Sequence, residues 1–154
     1  MTNPAVVLLL ANAASTFALT GLIWTIQLVH YPAFRYIAER QFVDFEAFHQ
    51  RQISWVVVPL MLVELSSTVA LFVWRPSGLP LSFAIVGALL ILAIWVCTFA
   101  VQVPLHNRLV QGFDRAAIDA LVHTNWIRTI LWTLRAGLLL WALCIAWPVA
   151  EHTP

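Results

Sequence analysis

Four apolar runs, residues 5–29, 54–74, 81–103 and 126–147, decide what this chain can fold into. Each is long enough to cross a hydrocarbon core, which takes about 20 residues of helix. A backbone in lipid must satisfy its own hydrogen bonds, and these runs are twice the length of a barrel strand, so the spans are read as helices. The fold class expected is all-α: a single integral membrane domain over residues 1–154, built as a four-transmembrane-helix bundle. Composition agrees, with 62% hydrophobic and 10% charged residues and a mean hydropathy of +0.87. A soluble core of this size has no means of hiding so many large apolar side chains. A net charge of +1 supplies no basic stripe for phosphates, which excludes a nucleic-acid partner. Cys97 and Cys144 lie in apolar runs at different depths, so no disulfide is expected.

Ala11-Asn12-Ala13 imitates a signal-peptide cleavage site, but Met1-Thr2-Asn3-Pro4 carries no positive charge and the apolar run continues to Val29. The first span is therefore expected to be retained. Residues 30–53 and 106–125 are polar segments, while Arg75-Pro76-Ser77-Gly78-Leu79-Pro80 is a tight turn. Four spans put both polar segments on one side and both termini on the other. Arg35, Arg40, Arg51, Arg108, Arg115 and Arg128 mark the first side as cytoplasmic, against Arg75 alone opposite, so both termini should be non-cytoplasmic in an inner or plasma membrane. Trp55 and Trp126 at one interface, with Trp74 and Trp147 at the other, fit two aromatic belts.

Four histidines fall at the cytoplasmic ends of the four spans: His30, His49, His106 and His123. His106 follows His30 by 76 residues and His123 follows His49 by 74, about half the chain in each case. Gln27-Leu28-Val29-His30 rhymes with Gln102-Val103-Pro104-Leu105-His106, and His49-Gln50-Arg51-Gln52-Ile53 with His123-Thr124-Asn125-Trp126-Ile127. Two tandem helical-hairpin repeats about a pseudo-twofold axis along the membrane normal would explain both patterns. Such an axis brings four imidazoles towards one place. Residues 35–52 read as an amphipathic interfacial helix between spans 1 and 2, with Phe42, Phe45, Glu46 and His49 in one arc of about 100°.

Glu46 and His49 have the Glu-x-x-His spacing by which carboxylate-bridged metal bundles place two ligands on one helical face, and Asp119 with His123 offers a second carboxylate–imidazole pair. The metal ligands expected are thus His30, His49, His106, His123, Glu46 and Asp119. Imidazole and carboxylate suit iron, copper, zinc or manganese, and two of the histidines would equally serve a haem b. Interfacial histidines bonded only to headgroups or helix ends are the competing expectation. Glu39, Arg40, Asp44 and Arg115 read as solvated faces, and Asp114 as a helix N-cap.

Glu64 lies ten residues into the second span from Ser54, and Arg135 nine into the fourth from Trp126. Either alone would cost roughly 2.5–3.5 kcal/mol at the bilayer centre, so the two are expected to pair. The pair either fixes helix register or floors a substrate cavity, where Arg135 would bind an anion and Glu64 move a proton. Asn12, Ser15, Thr16, Thr20, Ser66, Ser67 and Thr68 read as small and polar groups for close helix contact.

Pro104-Leu105-His106-Asn107-Arg108-Leu109 followed by Asn125-Trp126-Ile127-Arg128-Thr129 resembles the small four-span membrane family that includes anthrone oxygenases. Pro104, Leu109, Arg128 and Thr129 match that family's pattern, and Asn125 fills its polar position. His106 stands where Asn is usual, and Leu121 where a Trp is expected. The resemblance covers about a third of the chain and implies oxidation of a lipophilic aromatic compound by dioxygen. The function expected is an integral membrane metal-dependent oxidoreductase acting on a lipophilic substrate, with Arg128, Arg135 and Glu64 as catalytic groups. The alternative is a non-enzymatic accessory subunit or lipophile-binding protein. The partners expected are the lipid bilayer and a lipophilic small molecule, with homo-oligomerisation left open.

Overall fold

The computed structural model describes residues 3–150, with side chains to residue 146. Four long helices run antiparallel: α1 Pro4–Tyr36, α2 Glu39–Val73, α3 Leu81–Leu109 and α4 Arg115–Ala150. All four are long and apolar enough to cross a membrane, and no strand occurs among the described residues. Asn3 caps α1 by accepting from the Ala5 N–H at 3.0 Å, with Pro4 in the first turn. Asp114 caps α4 as expected, accepting from the Ala117 N–H at 3.0 Å. Trp74 and the 75–80 turn reverse the chain between α2 and α3.

The amphipathic segment expected between spans 1 and 2 is not a separate interfacial helix. Residues from Glu39 onward run without a break into the second span, making α2 a 35-residue rod. At 1.5 Å per residue it is about 52 Å long, well beyond a hydrocarbon core of ~30 Å. The excess of α2 and the first turns of α4 stand at one end of the bundle as a helical headpiece. Nothing in 39–54 breaks a helix, since neither Pro nor Gly occurs there, which explains the continuity.

α1 packs most closely on α2 and α4, and α3 on α4, while the α2–α3 seam is thinner. Two apolar cores result. One, around Leu19, Phe34, Phe42, Ile94, Leu121 and Trp132, lies toward the headpiece; the other, around Leu9, Leu71, Phe83 and Leu139, lies toward the termini. Outward-facing Val, Leu, Ile, Phe and Trp side chains cover the flanks, as lipid contact requires. Trp55, Trp74 and Trp126 are exposed as belts would have them, while the Trp147 side chain lies outside the described residues.

Between the cores lies a polar layer centred on the expected Glu64–Arg135 pair. Arg135 Nε donates to Glu64 Oε1 at 2.8 Å, with both side chains almost fully buried. The guanidinium also donates to the Gly87 carbonyl at 2.6 Å, to Asn12 Oδ1 at 3.1 Å and to Thr68 Oγ1. Glu64 in turn accepts from Thr16 Oγ1 at 2.7 Å and Trp132 Nε1 at 3.2 Å. Arg135 therefore joins α4 to all three other helices, and Gly87 lets it reach the α3 backbone because there is no side chain in the way. Cys97 and Cys144 are free thiols, the first buried and the second exposed.

Candidate functional site

Two prolines shape the headpiece end. Pro32 and Pro104 lack an N–H and crowd the carbonyl four residues before them, which opens the preceding turn. Both are preceded by five-residue π-helical segments, Ile26–His30 and Thr98–Gln102. In each, the residue before the proline reaches five residues back: Tyr31 N–H to the Ile26 carbonyl and Val103 N–H to the Thr98 carbonyl. Such segments are rare in helices and often mark functional sites.

The two segments lie 72 residues apart with the same length and the same distance to proline. This supports the duplication of α1 in α3 but changes its register. His30 corresponds to Gln102, and Phe34 to His106; the expected pairing of His30 with His106 was four residues out. Each π segment turns a glutamine toward α4. Gln27 donates to the Val122 carbonyl at 3.1 Å and accepts from Asn125 Nδ2 at 2.9 Å. Gln102 donates to Thr124 Oγ1 at 2.9 Å.

Three of the four histidines meet here. His30 Nε2 and His49 Nδ1 lie 2.8 Å apart, and the His49 and His106 rings are 5.5 Å apart. His106 Nδ1 bonds Glu46 Oε1, whose carboxylate also accepts from Gln50 Nε2 at 3.1 Å. His106 Nε2 faces the Tyr31 hydroxyl at 3.0 Å. A carboxylate on Nδ1 fixes the proton there, so Nε2 is an acceptor and Tyr31 the donor. Phe34 and Phe45 wall the His49 ring, at 5.2 Å and 6.5 Å. Phe42, Glu46 and His49 are buried together, as the helical arc predicts.

His123 and Asp119 do not join them. His123 is exposed on α4, and Asp119 pairs with Arg35 at 2.7 Å near the surface. Among the described residues no group of three or more His, Cys, Asp or Glu side chains converges to hold a metal ion. The imidazoles and Glu46 instead bond one another. Two buried atoms there have no partner, Glu46 Oε2 and His49 Nε2.

Two cavities flank this cluster, separated by Ile26 and Ile53. One of about 330 Å³, almost wholly apolar, lies against His30 and His49 between α1 and α2. The other, about 290 Å³, opens at the thin α2–α3 seam and takes lining from all four helices, including Tyr31, Met61, Trp95, Gln102, His106 and Arg128. Three further polar atoms that are buried without partners belong to side chains lining it: Trp95 Nε1, Gln102 Oε1 and Arg128 Nε. Arg128 is held by Asn125 Oδ1 at 3.3 Å and lies over the Trp132 ring at 5.1 Å.

Glu64 and Arg135 lie away from both cavities. The void beside them holds about 10 Å³, at most one water, and each nitrogen of the guanidinium is already engaged. A substrate has no room at that layer, and the geometry there is that of a register-fixing pair. Tyr31 and Trp95 are the site residues that sequence reasoning missed. Pro32, two residues after His30, was the available signal for Tyr31, because it announces a break in regular helix; nothing local singles out Trp95.

Comparison with protein-family models, with curated proteins and with solved structures finds no match. The resemblance to anthrone oxygenases rests on the third and fourth spans alone.

Proposed function

We propose that this protein is an integral membrane oxidoreductase that takes a lipophilic substrate from the bilayer into the α2–α3 cavity. One observation carries the reading: a lipid-side cavity is lined by Arg128 and by Tyr31 and His106, the outer members of a Tyr31–His106–Glu46 chain. An apolar cavity with a few polar groups in its wall is the usual form of a small-molecule site. The chain supplies a proton acceptor. Tyr31 takes a proton from a weakly acidic substrate as it gives its own to His106 Nε2, and Glu46 steadies the resulting imidazolium. Arg128 faces the anion left behind. On the resemblance, dioxygen then takes one electron from that anion and leaves as superoxide, the substrate becoming its neutral radical. Six arginines at the headpiece end support a cytoplasmic headpiece with both termini outside.

The test uses purified protein in lipid nanodiscs with measured metal content, offered lipophilic phenols and hydroxyaryl ketones while oxygen uptake is followed. Tyr31→Phe and His106→Ala should each lower turnover by at least about 100-fold, the smaller end of general acid–base contributions. Absence of oxygen uptake with every compound, or unchanged turnover in both variants, refutes the proposal.

A second reading is favoured by the unpartnered Glu46 Oε2 and His49 Nε2. Together with His30 and His106 they form a donor set suited to iron, copper or zinc, which would supply the electron transfer to dioxygen. The ligands would have to turn toward a common point, since they do not converge as they stand. Stoichiometric metal, lost on His49→Ala, would favour this reading.

A further inference from the structure

We infer that the α2–α3 cavity binds a long-chain fatty-acid anion, its carboxylate at Arg128 and its tail along the seam past Trp95. The inference rests on the reading of that cavity as a ligand site and names a ligand that needs neither Tyr31 nor dioxygen. Arg128 is 5% exposed, and a guanidinium is not deprotonated inside a protein, so a full positive charge lies in the cavity wall. The ion pairs among the described residues are Arg35–Asp119, His106–Glu46, Arg108–Asp114 and Arg135–Glu64, which leave Arg128 without a carboxylate. Buried charges are ordinarily paired. Arg135 shows how this chain satisfies an arginine whose role is structural: a carboxylate and three neutral acceptors take up its three nitrogens. Arg128 has one such bond, from Nη1 to Asn125 Oδ1 at 3.3 Å, and the face of Trp132. Its Nε is shut off from any occupant. Nη2 is neither bonded to a described residue nor among the enclosed atoms, which leaves it as the nitrogen that meets the cavity. An anion there supplies the missing counter-charge through a charge-assisted hydrogen bond.

The tail has a place of its own. A second cavity, about 280 Å³ and almost wholly apolar, lies on the same α2–α3 seam toward the termini, against Leu65, Val69 and Leu92, and Trp95 lines both. Gln102 at the first cavity and Leu92 at the second are ten residues apart on α3, about 15 Å. That is the depth one lipid tail fills, half of a hydrocarbon core of ~30 Å. Val58, Phe99 and Val103, on the exposed flank of the bundle, border the first cavity, so entry is from lipid. One free nitrogen and one seam suit one charge and one tail, which is a fatty acid rather than a phospholipid.

The experiment measures binding of oleate, oleyl alcohol and decanoate, each separately, to the full chain in phosphatidylcholine nanodiscs at alkaline pH, where the carboxylates are ionised. Affinities are referred to mole fraction in the bilayer, with empty nanodiscs as background. Saturable binding of one oleate per chain is expected, at least about tenfold tighter than oleyl alcohol, the factor that a hydrogen bond to a charged group carries. Arg128→Gln should abolish the preference and Arg128→Lys retain part of it. Leu92→Trp crowds the second cavity from the exposed flank and should weaken oleate severalfold while leaving decanoate unchanged, which keeps the test open should Arg128→Gln misfold. Equal affinities for oleate and its alcohol, a preference surviving Arg128→Gln, equal losses of oleate and decanoate in Leu92→Trp, displacement of oleate by phosphatidylglycerol at equal mole fraction, or no binding above empty nanodiscs overturns the inference. Its failure is separable from that of the proposed function: oleate bound without any oxygen uptake removes the enzyme and keeps the ligand, whereas turnover of phenols by a chain that does not bind oleate does the reverse.

Discussion

Arg135→Met is the substitution whose cost the structure fixes best. Arg135 is 1% exposed, and its guanidinium pairs with Glu64 and donates to Gly87 on α3, Asn12 on α1 and Thr68 on α2. Methionine roughly keeps the length and apolar volume of the side chain, so lost polar contact dominates. Three hydrogen bonds to neutral acceptors at about 0.6 kcal/mol each in a bilayer give roughly 2 kcal/mol. Leaving Glu64 buried with only Thr16 and Trp132 as donors raises the loss to about 3–5 kcal/mol, the range for breaking a buried pair from one side. Adding Glu64→Gln removes the stranded charge, and the amide oxygen it introduces can still accept from Thr16. The double variant should therefore be less damaged than the sum of the two single changes, by about 2 kcal/mol. Reversible unfolding in bicelles by steric trapping gives all three values. A loss below about 1 kcal/mol for Arg135→Met, or additive single costs, would refute the view that this pair is the bundle's register lock.

His123→Ala and Asp119→Ala should leave turnover and ligand binding unchanged, and Asp119→Ala should cost under about 1 kcal/mol, because its pair with Arg35 is largely in solvent; a hundredfold loss of activity in His123→Ala would restore the four-histidine site. Pro32→Ala should let the π turn relax to α-helix, rotating Gln27 away from Asn125 and loosening Arg128, and is read as weaker ligand binding with little change in helix content by circular dichroism. Asp114 is held below the ordinary carboxylate range by the Ala117 N–H it accepts from and by the Arg108 guanidinium. A depressed pKa contributes stability above the ordinary value that disappears as pH falls through the lowered one. Protection of the Ala117 amide against hydrogen exchange should accordingly fall below about pH 4 in the native chain and be low at every pH in Asp114→Ala.

Apolar length alone made the four spans legible, because no other structure satisfies a backbone in lipid. The midplane pair was equally legible, since two opposite charges at equal depth in hydrocarbon have one inexpensive arrangement. Pattern was a poorer guide where several local structures satisfy the same physics. The polar segment 39–53 has the periodicity of an interfacial helix and also of the first turns of a rod, and periodicity does not say whether a helix ends at the membrane surface. Only the absence of a breaker before Ser54 distinguishes them, and that points to the rod.

The histidine repeat shows why a repeat read from spacing alone gave a partly wrong site. Counting along the chain assumes 3.6 residues per turn throughout, but a π turn holds an extra residue and rotates everything beyond it by about 100°. With one such turn ahead of Pro32 and another ahead of Pro104, spacings to histidines past those points carry no reliable facing. The duplication survives in the two π segments and in the prolines that follow them, each 72 residues apart. Beyond them the halves diverge: His106 stands where the first half has Phe34. An ancestral symmetric bundle would have had matching residues at those positions. Here one half contributes His30, Tyr31, Glu46 and His49 and the other Gln102, His106 and Arg128, so the Tyr31–His106–Glu46 chain crosses between the halves, and two halves that matched residue for residue would not form it.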